Sequence, residues 1–87
     1  MSDEQALITQ AKIYFRTAIE LGAEGILAKE RADTMPPSEV QQALLTHSAN
    51  CLRLHDTYYQ RSLDTWEVIR GIRGEASQAR GAGPTGN

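Results

Sequence analysis

The sequence is poor in the residues that build cross-links and membrane spans. Cys51 is its single cysteine, so no disulfide can form within the chain, and a lone thiol is typical of a reducing compartment. No apolar run approaches the roughly 18 residues that a transmembrane helix needs. The acidic start also lacks the apolar segment of a secretory signal. We therefore expect a cytoplasmic protein that has no membrane partner.

An excess of charge of one sign is also missing. The chain has 9 basic and 11 acidic residues, which give a formal net charge of −2, and the two signs are well mixed. A general nucleic-acid binder would show a basic stripe, so we expect no nucleic-acid partner. With 87 residues the chain makes one domain with a marginal core. Self-association is a common remedy when disulfides are absent.

Glycine and proline are absent between Ser38 and Arg70, so nothing in this segment interrupts a long helix. Within it, and in the first third of the chain, apolar residues recur at spacings of three and four. This periodicity predicts two helices, over about 3–32 and 38–72. Their similar lengths favour an all-α helical hairpin with antiparallel helices, forming one domain over residues 1–74. We expect self-association or a partner to complete this hairpin into a bundle.

The ends of the helices are signalled by individual residues. Pro36 and Pro37 cannot continue a helix, which places the turn there. Ser2 and Ser38 are each followed three residues later by glutamine, the pattern of a capping box at a helix start. The last segment, 75–87, is rich in glycine and poor in apolar residues, which predicts a disordered tail.

Small residues run along the middle of the apolar stripe of the first helix, with larger apolar residues beside them. Such a ridge lets another helix approach closely. The alternative is that its two glycines only weaken the helix, at about 1 kcal/mol each. We favour close packing. The ridge consists of Ala11, Ala18, Gly22 and Gly25.

The second helix carries two apolar stripes on different sides, and one partner helix can cover only one of them. We predict that the first stripe faces the first helix; it contains Val40, Leu44, His47, Cys51, Leu54 and Tyr58. The second, which we call the outer stripe, contains Leu45, Leu52, Tyr59, Leu63 and Trp66. Exposing it would create an apolar patch that monomers rarely show, so we predict that it binds a second copy, most simply in a dimer, or another protein.

Metal-binding chemistry has one candidate set. His47, Cys51 and His55 stand at successive four-residue spacings, and helical residues four apart can share an ion. The two histidines are two turns apart, about 12 Å, so a single ion could not bind both. We therefore predict no metal and no cofactor, with two half-buried imidazoles and a buried thiol. A metal- or haem-binding helical bundle that uses these three residues is the alternative.

Catalytic machinery is not apparent in the sequence. Cys51 and His55 could form a nucleophile and base, but no third group orients them and no loop offers an oxyanion hole. A helical enzyme of the mutase type would need several cations in a pocket, and only Lys12 and Lys29 approach the stripe of the first helix. We predict a non-enzymatic interaction module, such as an adaptor, a chaperone subunit or a small inhibitor or regulator, acting through the outer stripe.

One segment, Pro37–Ile72, is similar in outline to small helical-hairpin proteins of bacterial type III secretion, the needle subunits and their small chaperones. The similarity rests on a turn proline followed by Leu44, Leu45, Leu54, Tyr58, Val68 and Ile69. The Gly-rich tail departs from needle subunits, whose C-terminal residues pack inside the filament. Because these positions are shared by many amphipathic helices, we assign the chain to no family.

Overall fold

Two long helices joined by a short link make up the fold. In the computed structural model the described residues are 2–81, and side chains are described over 2–74. Helix α1 spans Asp3–Asp33 and helix α2 spans Glu39–Gly81. The two pack side by side in opposite directions, and no strand occurs within 2–81. The predicted all-α helical hairpin is therefore confirmed.

Both predicted capping serines begin a helix. The Ser2 hydroxyl accepts a hydrogen bond from the Gln5 amide at 3.2 Å, and the Ser38 hydroxyl accepts one from the Gln41 amide at 3.1 Å. Each bond satisfies a main-chain donor that has no partner within its own helix. At the other end of α1 the Thr34 hydroxyl donates to a carbonyl of the last turn. The link is therefore held by local hydrogen bonds on both sides.

Helix α2 is longer than the sequence pattern predicts. We expected an end near Ile72, signalled by Gly71 and Gly74, whereas the helix continues to Gly81. Within the described part of the chain no glycine adopts positive φ, the conformation that ends many helices. The glycines instead stay helical at a cost of about 1 kcal/mol each, and good helix formers follow them. The tail predicted for 75–87 thus begins inside the helix, and its last six residues lie outside the described residues.

A row of hydrogen bonds joins the two helices through the main chain of α1. Four side chains of α2, spaced seven residues apart, each bond a main-chain carbonyl oxygen of α1. We call this row the ladder; its pairs are Gln41 with Ala32 (3.0 Å), Ser48 with Gly25 (2.6 Å), His55 with Ala18 (2.6 Å) and Ser62 with Ala11 (3.2 Å). A seven-residue repeat is that of coiled coils. The ladder therefore fixes one antiparallel register.

The small-residue ridge of α1 makes the ladder possible. All four ridge residues are buried, so the predicted close packing is confirmed. A Cβ atom added to Gly25 would lie 2.9 Å from Cγ of Leu52, and one added to Gly22 would lie 3.0 Å from Nδ1 of His55. Those distances are shorter than normal van der Waals contact. Any larger side chain there would force Leu52 or His55 to shift and would disturb the close packing of the helices.

The core between the helices is thin. Ile69 is the one large side chain that is fully buried among the described residues. The other buried positions hold alanine, glycine, serine and Cys51. Small side chains bury little apolar area, so they contribute less hydrophobic stabilisation than a leucine-rich core would. Most of the large apolar side chains of the hairpin lie outside this core.

Candidate protein interface

The side of α2 that faces α1 lies between the two predicted stripes. The ladder residues Ser48 and Ser62 occupy this side and are buried. Val40, His47 and Leu54, which we predicted to face α1, are exposed, and the exposed fraction of Val40 is 59%. The predicted orientation of α2 is therefore wrong for these three residues, although Cys51 is buried as expected. Apolar periodicity does not identify a contact row built from serine and histidine, so it does not predict which side of α2 faces α1.

The outer stripe lies along one edge of the contact between the helices instead of on the far side of α2. Leu52 packs over Gly25, and the ring of Tyr59 lies 6.3 Å from the ring of Phe15, centroid to centroid. The outer stripe therefore joins apolar residues of α1 in a single surface. We call this surface the apolar flank; it consists of Phe15, Ile19, Ile26, Leu45, Leu52, Tyr59, Leu63 and Trp66.

The α1 part of the apolar flank was missed by the sequence-based prediction of the interface. Phe15, Ile19 and Ile26 stand beside the small-residue ridge, and the sequence assigns them only to a widened stripe. The ridge residues Ala11, Ala18 and Gly25 are spaced seven residues apart, as the ladder donors are. This match is the signal in the sequence that could have placed the flank residues of α1. Once that register is known, these residues and the outer stripe share one broad side of the hairpin.

Much of the apolar flank is open to solvent. Five of its large side chains are exposed, with exposed fractions from 40% for Leu63 to 54% for Ile26. Contiguous apolar patches larger than a few hundred Å² are uncommon on monomers and mark interaction sites. The aromatic residues Tyr59 and Trp66 add the side-chain types that are enriched at binding hot spots. The flank therefore has the composition of a protein interface.

A groove opens at one end of the apolar flank. It has a volume of about 650 Å³, and Phe15, Ile19 and Trp66 form its apolar walls. Charged side chains stand at its rim, two cations and one carboxylate: Lys12, Arg16 and Glu20. An open apolar groove with a charged rim suits an inserted apolar side chain whose neighbours carry charge.

The opposite broad side of the hairpin has a different character. There the rings of Tyr14 and Tyr58 lie 6.0 Å apart, and the Arg61 guanidinium stands 5.2 Å from the Tyr58 ring centroid. Nearby, His47 lies 3.2 Å from a carboxylate oxygen of Glu24 on the surface. The Arg61 guanidinium and the His47 ring thus have partners within the hairpin. This side is therefore less suited to burial against a partner than the apolar flank.

The three candidate metal ligands do not come together. Nε2 of His47 lies 3.6 Å from Sγ of Cys51, but His55 is directed at the Ala18 carbonyl in the ladder. Over the part of the chain that the structure describes, no three histidine, cysteine, aspartate or glutamate side chains are placed to hold one ion. His47 and Cys51 thus form a neighbouring pair, and His55 serves the contact between the helices.

Comparison with known proteins identifies no match for the chain. No protein-family model matches the chain, and neither does any curated protein or any solved structure. Within the described residues, neither helix combines the length and apolar character needed to cross a membrane.

Proposed function

We propose that this chain is a non-enzymatic protein–protein interaction module that acts through the apolar flank. One observation carries the proposal: five large apolar side chains, contributed by both helices, stand exposed on the same side of the hairpin. The core of alanine, glycine and serine does not take up these side chains, so each keeps at least 40% of its surface exposed. Burial of the flank against a protein surface would add the hydrophobic stabilisation that the thin core lacks.

The candidate groups for metal binding or nucleophilic catalysis, His47, Cys51 and His55, are either buried or in contact with other residues of the hairpin. His55 bonds the main chain of α1, and His47 pairs with Glu24 at the surface. Cys51 is buried, and nucleophilic cysteines normally sit in accessible, electropositive surroundings. Roles as an adaptor, a chaperone subunit or a small inhibitor all fit the proposed mode of action, because each needs only contact through a helix face.

Truncation of the aromatic residues on the apolar flank tests the proposal. The double variant Tyr59→Ala with Trp66→Ala removes two aromatic anchors, and a matched control, Ile13→Ala with Leu27→Ala, truncates two side chains exposed elsewhere on α1. Binding of the immobilised chain to proteins of its source cells and its own mass by light scattering are compared. We expect wild type and control to bind a protein or self-associate, and the aromatic variant to lose this binding while circular dichroism stays helical.

Two results would contradict the proposal. One is a wild-type chain that is monomeric and retains no protein from its source cells. The other is an aromatic variant that binds as wild type does, because the flank would then contribute nothing to binding.

A further inference from the structure

We infer that the occupant of the apolar flank is a second copy of this chain, and that the two hairpins pair antiparallel into a four-helix bundle. This inference rests on the proposed function and names the partner that the flank fits. Three properties of the flank support a second copy: its area, the order of its side chains along the hairpin, and the charges at its edge.

The area of the flank matches what a stable dimer needs. The hairpin is a flat slab, with extents of 70 × 27 × 13 Å. The stretch in which both helices are paired is about 45 Å long and about 20 Å wide, which gives a face of about 900 Å². Stable protein complexes bury about 800 Å² on each partner. Two slabs stacked flank to flank would meet this size and hide the exposed apolar side chains.

The side chains of the flank change in size along the hairpin. On α2, Trp66 and Tyr59 lie towards the open end, and Leu52 and Leu45 lie towards the link. A two-fold axis across the middle of the flank, at the level of Ile19, reverses this order in the second copy. Trp66 of one copy then meets the second copy's Leu45, and Tyr59 meets the second copy's Leu52. The large aromatics of each copy thus face the smaller leucines of the other, with the groove beside Trp66 as the receiving site.

Charges beside the flank are arranged for the same antiparallel pairing. On the edge of α1, Arg16 precedes Glu20 by one turn, and the two-fold axis passes between them. Arg16 of each copy therefore faces the second copy's Glu20. On α2, Arg53 and Asp56 are separated by about one turn and stand in the same relation to the axis. Each pair occurs twice by symmetry, so a single interface gains four contacts between opposite charges.

The mass in solution tests the identity of the occupant. At concentrations on the order of tens of micromolar, sedimentation should give a particle of twice the 9.6 kDa chain mass. Ile19→Glu places a carboxylate at the two-fold axis and should give a monomer that stays helical by circular dichroism. The matched control Ile13→Glu alters a residue of equal type and similar exposure outside the flank and should stay dimeric.

Charge reversal tests the antiparallel orientation. Arg16→Glu alone, and Glu20→Arg alone, should each weaken dimerisation by about tenfold, because each creates like-charge contacts twice. The two changes combined restore opposite charges and should recover the wild-type dissociation constant. As a check that needs no acidic substitution, Ile19→Cys in a Cys51→Ala background should form a disulfide between copies under mild oxidation, whereas Ile13→Cys should not.

Each contrary result points to a different error. A wild-type monomer would overturn self-pairing, although binding of a foreign protein through the flank would still support the proposed function. A dimer that survives Ile19→Glu, or one that Ile13→Glu disrupts, would place the contact elsewhere and overturn the inference. Failure of the combined charge reversal to restore dimerisation would overturn the antiparallel orientation.

Discussion

The Ser48 hydroxyl lies 2.6 Å from the carbonyl oxygen of Gly25, in a buried contact between the two helices. The carbonyl also belongs to α1, where it can accept the usual helical hydrogen bond with its other lone pair. Serine therefore adds a bond between helices at no loss to the bonds within them. The absence of a side chain at Gly25 lets the backbones come close enough for that bond.

Loss of this hydroxyl should weaken the hairpin. Ser48→Ala removes the donor while leaving the shape almost unchanged, so we expect the free energy of unfolding to fall by about 1 kcal/mol. Thr57→Ala is the matched control, because its exposed hydroxyl bonds only the carbonyl of Arg53 within α2. Chemical denaturation followed by circular dichroism gives both values. Equal stability changes in the two variants would count against a stabilising role for the ladder.

Enlarging the small-residue ridge should also destabilise the fold. Ala18 has no exposed surface, and its carbonyl accepts the His55 hydrogen bond, so Ala18→Leu would force the helices apart. We expect a loss of about 1–3 kcal/mol from such overpacking. Ala23→Leu makes the same change on the exposed side of α1 and should be nearly neutral. The close-packing interpretation would be wrong if thermal unfolding showed the two variants to be alike.

Glycine-to-alanine substitutions should have opposite effects at two places. At Gly25 the new methyl group would lie 2.9 Å from Cγ of Leu52, so the neighbours must shift and stability should fall. At Gly74 nothing lies within 4 Å, so alanine should stabilise the helix by up to about 1 kcal/mol. Melting temperatures measured on both variants test the signs. A stabilising Gly25→Ala would mean that the helices are not packed this closely.

The purified protein is expected to carry neither stoichiometric metal nor haem. His55 bonds the Ala18 carbonyl, which leaves only His47 and Cys51 as close neighbours among the three candidate ligands. Elemental analysis and a visible absorption spectrum of the chain as isolated test this expectation. One metal ion per chain that disappears in Cys51→Ala would establish the alternative, a metal-binding helical bundle.

Local signals in the sequence predicted much of the fold. Ser2 and Ser38 begin the helices because serine hydroxyls satisfy free main-chain amides, and this requires no knowledge of the tertiary structure. The end of α2 was not predicted, because Gly71 and Gly74 are tolerated in a helix when no tight turn follows. Glycine can adopt either the helical or the left-handed conformation, so its presence alone does not predict a helix end.

The rotation of α2 could not be read from apolar periodicity. Ser48 looks like a solvent-facing residue until its acceptor, the carbonyl of Gly25, is placed opposite it. Consequently the outer stripe was predicted to lie away from α1, whereas Leu52 contacts Gly25 and extends a surface shared by both helices. The prediction of an interface there remains a proposal, now on a wider set of residues.

The ladder has a consequence for how this chain can change during evolution. Its acceptors are main-chain carbonyls, which every residue type carries, so the positions opposite Ser48 and His55 are constrained in size but not in chemistry. Ala18 could exchange with glycine without loss of its acceptor, whereas Gly25 has no room for a side chain. The donors, in contrast, must keep a hydrogen-bonding group. A small residue at every seventh position of α1 is therefore what the ladder requires of this helix.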